Sequence, residues 1–261
     1  MSDYLTTCEQ AARVGGAILL DWGARFTVQE KGPADLVTDA DVASQEAIRR
    51  IFKDRYPDHG FVGEESGVLP NPWPEYCWVV DPLDGTTNYV HRVPHYAVSI
   101  ALVERGRPVV ATVYDPVSQE CYTAERGGGA WLNGKRITTS RVTSLEQAVI
   151  AASFSAKIDP TSPEINQFVE ALLQAQAVRR TGSAALNLCY VAAGRFDAFW
   201  ALTTKAWDVA AGALLVEEAG GVVTHWSGTP LDLRVPHPVA AATDLLHAAF
   251  QRLLTTSAGE A

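Results

Sequence analysis

Between residues 4 and 22 apolar side chains recur at Leu5, Cys8, Ala12, Ile18 and Leu19 with no proline among them, the spacing of an amphipathic helix. A second apolar face, Ala47, Ile48, Ile51 and Phe52, predicts a helix from Asp41 to about Tyr56. The stretch from Lys31 to Asp41 reads as a turn, a short extended piece and a helix entry. Phe61 and Val62 form a short strand that leads into Gly63-Glu64-Glu65-Ser66. A Pro-rich loop over 69–75 then precedes Tyr76-Cys77-Trp78-Val79-Val80, a short apolar run with the character of a buried strand. Further strands are predicted at 97–103, 109–114 and 120–124, with hairpin turns at Glu104-Arg105-Gly106-Arg107 and Asn133-Gly134. After about residue 140 the pattern alternates: strands at 149–154, 196–202 and 222–225, and helices at 163–176, 183–193, 207–219 and 244–254. A meander of strands with flanking helices followed by alternating elements is a mixed α/β (α+β) protein with layered sheets. Residues 1–140 and 141–261 read as two halves of one unit, without a flexible linker between them.

The remaining composition narrows the function. With 47% hydrophobic residues in 261, a sizeable core is expected. No apolar run reaches transmembrane length, and the first residues lack a basic-then-apolar signal, so a cytoplasmic protein without a membrane role is expected. A formal charge of −9 disfavours nucleic acid as a partner. It does not exclude a phosphorylated substrate, because a bound divalent cation inverts the local field. Arg49, Arg50, Lys53 and Arg55 cluster on the second helix and read as a solvated face. Cys8, Cys77, Cys121 and Cys189 are widely scattered, the pattern of isolated reduced thiols.

The chemistry concentrates in Asp81-Pro82-Leu83-Asp84-Gly85-Thr86-Thr87-Asn88-Tyr89. Two carboxylates stand three residues apart where the apolar strand ends, and Pro82 between them withdraws a backbone donor. Gly85 permits a tight turn whose amides, with that of Thr86, face an anion. Carboxylates at a strand end collect hard divalent cations, and a turn of open amides collects phosphate. Two more acidic motifs follow the same logic: Gly63-Glu64-Glu65-Ser66, and Trp207-Asp208-Val209-Ala210-Ala211-Gly212 at the start of an apolar helix. Singly, each acid is explained by a turn, a helix cap or a solvated loop. Jointly, they are carboxylates that repel one another unless a cation lies among them.

In this order the three motifs resemble the inositol monophosphatase family of Mg²⁺-dependent, lithium-sensitive phosphatases, a likeness that spans nearly the whole chain. Pro33-Ala34-Asp35-Leu36-Val37-Thr38 with Asp41, Arg180-Thr181-Gly182-Ser183-Ala184-Ala185-Leu186-Asn187 and Glu217-Glu218-Ala219-Gly220-Gly221 belong to it too. The resemblance implies a layered αβαβα sandwich, a homodimer, and two to three Mg²⁺ ions. Glu64, Asp81 and the carbonyl of Leu83 would hold the first ion, and Asp81, Asp84 and Asp208 the second; a third would lean on Glu64. Thr86 paired with Asp41 would orient and help deprotonate the attacking water, and Glu65 would hold Glu64 or a water. Asp84, Gly85, Thr86, Gly182, Ser183 and Ala184 would face the substrate. The expected reaction is in-line attack of metal-activated water on a phosphate monoester of a small metabolite, with no phospho-enzyme. His91 and His95, close behind the central motif, read as turn or packing residues.

Substrate choice is less determined. Members that prefer inositol phosphate commonly carry a glutamate seven positions before the Trp-Asp aspartate, and Ala201 stands there in this chain. An alanine accepts no hydrogen bond from a sugar hydroxyl. Inositol 1-phosphate, alone or among several esters, is the leading substrate. Fructose 1,6-bisphosphate, 3′-phosphoadenosine 5′-phosphate and histidinol phosphate are the alternatives on the same fold and metals. A non-catalytic scaffold for RNA or protein is the alternative of another class.

Overall fold

The apolar faces assemble into five layers in a computed structural model that describes residues 2–23, 25–32, 35–154 and 158–258. Helices α1 (Asp3–Trp22) and α2 (Asp39–Arg55) form the first layer. The second is a seven-stranded sheet of β3 (Gly60–Gly63), β4 (Tyr76–Asp84), β5 (Ala97–Glu104), β6 (Arg107–Asp115), β7 (Glu120–Glu125), β8 (Gly129–Leu132) and β9 (Lys135–Ile137), in that spatial order. Its β3 and β4 are parallel and every other pair is antiparallel. Helices α5 (Ala184–Ala192) and α6 (Ala206–Glu218) make the middle layer. Beyond them lies a five-stranded sheet built from β10 (Val149–Ser153), β11 (Ala177–Arg179), β12 (Ala198–Ala201), β13 (Val222–His225) and β14 (Pro238–Ala241), ordered β11-β10-β12-β14-β13. Helices α4 (Pro163–Gln174) and α7 (Asp244–Ala258) cover its outer face. A small antiparallel pair, β1 (Val28–Gly32) and β2 (Asp35–Thr38), precedes α2. The arrangement is the αβαβα sandwich that the resemblance implies.

Strand alternation explains the layering. Along β4, Cys77 and Val79 pack toward the middle helices, while Trp78 and Val80 pack toward α1 and α2. Along β5, Ala97, Ala101 and Val103 face inward, and Val98, Ile100 and Leu102 outward. Both faces of the sheet are therefore buried, and its strands read as unbroken apolar runs. The pattern change near residue 140 falls between β9 and β10, and one core cluster extends from the larger sheet through α5 and α6 to Ala151, Phe199 and Ala240 of the smaller one.

The middle helices meet at Gly212 of α6, where a Cβ would stand 2.5 Å from Cβ of Leu188 on α5. Alanine would gain up to about 1 kcal/mol of helix propensity, yet overpacking of this kind costs about 1–3 kcal/mol. Cβ of Leu188 is fixed to its helix and cannot swing aside. Gly212→Ala is therefore expected to lower the melting temperature by a few degrees; an unchanged or raised value would show that the helices separate at no cost.

Several boundaries differ from the sequence reading. Helix α2 begins at Asp39 rather than Asp41, because Thr38 caps it and Asp41 completes a capping box by accepting from the Thr38 amide at 2.9 Å. Strand β4 extends to Asp84, pairing Asp81 with Ser99 and Asp84 with Ala97 across a break in register. The predicted helix over 163–176 ends at Gln174, and Ala177–Arg179 form β11. Helix α7 runs to Ala258, past the predicted end at 254. Pro33 and Ala34, quoted in the resemblance, lie outside the described residues.

Among the described residues no helix is long and apolar enough to cross a membrane. The basic cluster on α2 is largely balanced at home: Arg49 and Arg50 both bond Glu46, at 2.9 and 3.0 Å, and Arg55 donates to the Thr7 hydroxyl. All four cysteines are buried thiols.

Candidate functional site

The break in β4 is where the site begins. Pro82 supplies no amide, so the ladder to β5 cannot continue normally through it. The Leu83 amide instead donates to Asp81 at 3.0 Å, and the Pro82 carbonyl accepts from Ser44 of α2 at 3.2 Å. Asp81 and Asp84 are consequently both inside the strand end and both buried, with 2% and 8% of their surface exposed. Gly85 then turns the chain with φ of +97° into the short helix α3 (Thr86–Val90). A side chain there would press on the carbonyls of His95 and Gly182, at 3.1 and 3.4 Å.

Other elements bring the remaining acids. Asp84 receives three donors from the start of α5: the Ser183 hydroxyl, and the amides of Ala184 and Ala185 at 3.2 and 3.0 Å. A carboxylate at a helix N-terminus is favourably placed. Asp208 lies in the first turn of α6 and accepts from the Lys205 amide at 2.8 Å. Glu64 opens a single 3₁₀ turn after β3, and the neighbouring Glu65 amide donates to Gln45 of α2 at 3.1 Å. Asp41, buried on α2, accepts from the amide and hydroxyl of Thr38. Thr86 donates to the Leu83 carbonyl at 3.1 Å and lies 3.4 Å from Asp41.

These carboxyls are held far from comfort as anions. Burial first, then the charges of Glu64, Asp84 and Asp208, pushes Asp81 well above the usual carboxylate range. Burial pushes Asp84 up to about 6 against the pull of its three donors, and Asp208 rises for the same reason, with Asp84 and Glu64 adding to it. Asp41 is pushed up to about 6 by burial, opposed by its bonds to Thr38. Among the described residues no arginine or lysine side chain forms an ion pair with any of the three aspartates at 81, 84 and 208, and no three acidic, histidine or cysteine side chains close into a ready-made metal cage. Three aspartates whose proton affinities burial and the charge of Glu64 raise, with Glu64 itself, are all hard oxygen donors and fit divalent cations such as Mg²⁺.

A cleft of about 460 Å³ opens on the Asp84 and Asp208 side of this group, walled by those two with Gly182, Ala184, Thr87, Asn88, Thr203, Thr204 and the end of β10 with Phe154 and Arg180. The structure thus brings Asp84, Asp208, Gly182 and Ala184 of the predicted set to one cavity. Ser183 is fully buried and serves Asp84 rather than lining the cleft. Ala201 is also fully buried, in the core shared by the two sheets, and Thr203 and Thr204 form the nearby wall instead. His91 caps α3 through its backbone, and His95 packs on Tyr190.

Two positioning residues escaped the sequence reading. The Asn88 amide donates to the carbonyls of His95 and Thr181, at 2.7 and 2.9 Å, and so ties the turn after Asp84 to the loop before α5. Gln45 steadies the Glu64–Glu65 turn. Asn88 was visible as the last polar residue of the central motif; nothing in the local sequence singles out Gln45.

A family model described as the inositol monophosphatase family matches residues 2–257. The chain is 43% identical over 264 residues to the Nus factor SuhB of Pseudomonas aeruginosa, covering 98% of this chain and 96% of that protein. A crystal structure of the extragenic suppressor protein suhB from Bartonella henselae superposes with a TM-score of 0.90 at 37% identity, covering 97% of this chain and 98% of the other. An inositol monophosphatase from Anabaena superposes with a TM-score of 0.86 at 35% identity, covering 97% and 95%.

Proposed function

This chain belongs to the inositol monophosphatase family, and from that premise we propose that it is a Mg²⁺-dependent phosphate monoester hydrolase. The observation that carries the reading is the set of Asp81, Asp84 and Asp208, whose proton affinities burial and the charge of Glu64 raise, beside a polar cleft; among the described residues none of the three aspartates forms an ion pair, and the charge of Lys205 offsets only part of the rise at Asp208. Inositol 1-phosphate is the leading substrate, with other sugar and metabolite phosphates behind it.

Glu64, Asp81 and the Leu83 carbonyl would hold one ion, Asp81, Asp84 and Asp208 another, and a third would lean on Glu64. When bound, Mg²⁺ neutralises this cluster and supplies a Lewis-acidic clamp for phosphate oxygens. The protein's own part is positioning and proton handling. Gly85 and Thr86 present amides to the phosphate. Glu65 supports Glu64. The Thr86 hydroxyl accepts a proton from the attacking water as its own leans toward Asp41, whose raised pKa makes it a fitting acceptor near neutrality. Asp84 is oriented by Ser183, so the cleft wall moves little as charge develops.

A binding measurement tests the metal part alone. At a hundredfold excess over its dissociation constant, Mg²⁺ should stabilise the fold by about 2.7 kcal/mol and raise the melting temperature. No shift with Mg²⁺ would count against the assignment. Inhibition by Li⁺, a homodimer in solution and cytoplasmic residence accompany this reading.

The printed name of the Pseudomonas relative, Nus factor SuhB, favours a second reading in which the chain serves as a Nus factor. Cells that depend on this chain separate the two. Rescue by a turnover-dead Asp84→Asn variant would favour the Nus-factor reading, and failure of rescue the hydrolase.

A further inference from the structure

Arg180 is the only cationic side chain lining the cleft among the described residues, and it stands on the wall shared with Phe154. Its guanidinium carbon lies 5.3 Å over the Phe154 ring. That ring is propped edge-on by Phe168 and Trp200, with centroids at 5.3 and 6.3 Å. The guanidinium plane is therefore supported on one side by a fixed aromatic platform. Its donors are unengaged: among the described residues Arg180 makes no ion pair and no hydrogen bond, although Asp84 and Asp208 line the same cleft.

Several of the other polar groups around the cavity are already committed, and the rest, carboxylates aside, are the neutral hydroxyls of Thr87, Ser153 and Thr203. The Asn88 amide is used on two carbonyls, the Thr204 hydroxyl on the Pro236 carbonyl, and Asp84 on the start of α5. Beyond the carboxylates, the strongest unsatisfied recognition group is a set of five N–H donors in a planar fork, which matches a carboxylate or phosphate.

We propose that Arg180 is a specificity-determining residue, and that the preferred substrate is a phosphate monoester whose alcohol part carries a second anionic group held by this arginine. The proposal rests on the hydrolase reading. It names a class, an ester with an added carboxylate or phosphate, and places it ahead of inositol 1-phosphate, the neutral polyol phosphate that family membership alone puts first.

Two matched pairs test it at fixed free Mg²⁺. Glycerol 2-phosphate and 2-phosphoglycerate differ by a carboxylate, and fructose 1-phosphate and fructose 1,6-bisphosphate by a phosphate. The unaltered protein should show kcat/KM about tenfold or more higher for the anionic member of at least one pair, the size of effect expected from one charge-assisted hydrogen-bonded contact. The pair that shows it identifies the group. In Arg180→Ala that ratio should fall toward one, mainly through KM, and Arg180→Lys should keep part of it. Three results overturn the proposal. One is a ratio near one in both pairs for the unaltered protein. Another is a ratio that Arg180→Ala leaves intact, as a purely structural arginine would. The last is no phosphate release from any of the four esters, which removes the hydrolase reading as well only if inositol 1-phosphate, assayed alongside, is also left intact; the first two leave that reading standing.

Discussion

Asp84→Asn is expected to abolish Mg²⁺-dependent phosphate release, by about a thousandfold or more, while the fold survives. Asp84 is buried at the end of β4 and held by one hydroxyl and two amides from the start of α5. The two amides bond different carboxylate oxygens, so asparagine keeps the acceptor for one of them and presents its NH2 group to the other, while the Ser183 hydroxyl can rotate to accept from that new group. What is lost is a negative charge that a cation needs. The same loss relieves repulsion, because Asp81 and Asp208 are each pushed up partly by Asp84. That relief offsets the one amide acceptor lost, so in EDTA the variant should melt within a few degrees of the unaltered protein, and Mg²⁺ should no longer raise its melting temperature. A variant that Mg²⁺ still stabilises as it does the unaltered protein, or that still turns over in ordinary Mg²⁺, would contradict the metal assignment.

Thr86→Val is expected to lower turnover by about a hundredfold to ten-thousandfold, the range for loss of a positioned proton-transfer group. Valine fills the space of threonine without its hydroxyl, so the bond to the Leu83 carbonyl and the approach to Asp41 both disappear. No carboxylate is touched, and the Mg²⁺ dependence of the melting temperature should be preserved. Thr86→Ser should restore much of the activity. Asp41→Asn is a less clean probe, because Asp41 also completes the capping box of α2. Combined with Thr86→Val it should cost little more than the larger single effect, since residues acting as one unit are not additive. Independent effects of the two substitutions would separate Asp41 from the proton path.

Much of this arrangement is legible in the chain. The helix faces of α1 and α2 are strict enough to predict, and the acids of β4 and α6 fall where the apolar runs stop or start. The sequence places the end of β4 too early because a proline normally halts a central strand. Here the ladder skips Pro82 and resumes at Asp84, which carries both carboxylates into the buried layer. Strand β14 has only Pro238, Val239, Ala240 and Ala241, too short and too small in side chain to announce itself. Strand β11, three residues long, merges into the helical pattern before it.

Long-range hydrogen bonds were the other hidden layer. Ser183 reads as a substrate contact because it neighbours Gly182 and Ala184, yet its hydroxyl turns inward to Asp84, 99 residues earlier in the chain. Ala201 reads as a site residue by its distance from Asp208, but its side chain belongs to the core beneath the cleft wall. Arg180 and Phe154 carry no local signal of a cleft; only the packing of β10 beside the loop before α5 brings them together.

The most direct measurement is phosphate release by the unaltered protein from inositol 1-phosphate, fructose 1,6-bisphosphate, histidinol phosphate and 3′-phosphoadenosine 5′-phosphate, with Mg²⁺, with EDTA, and with Li⁺ added. The account predicts release from at least one ester that requires Mg²⁺, stops in EDTA and is inhibited by Li⁺. Release that continues undiminished in EDTA, or no release from any ester, would contradict it.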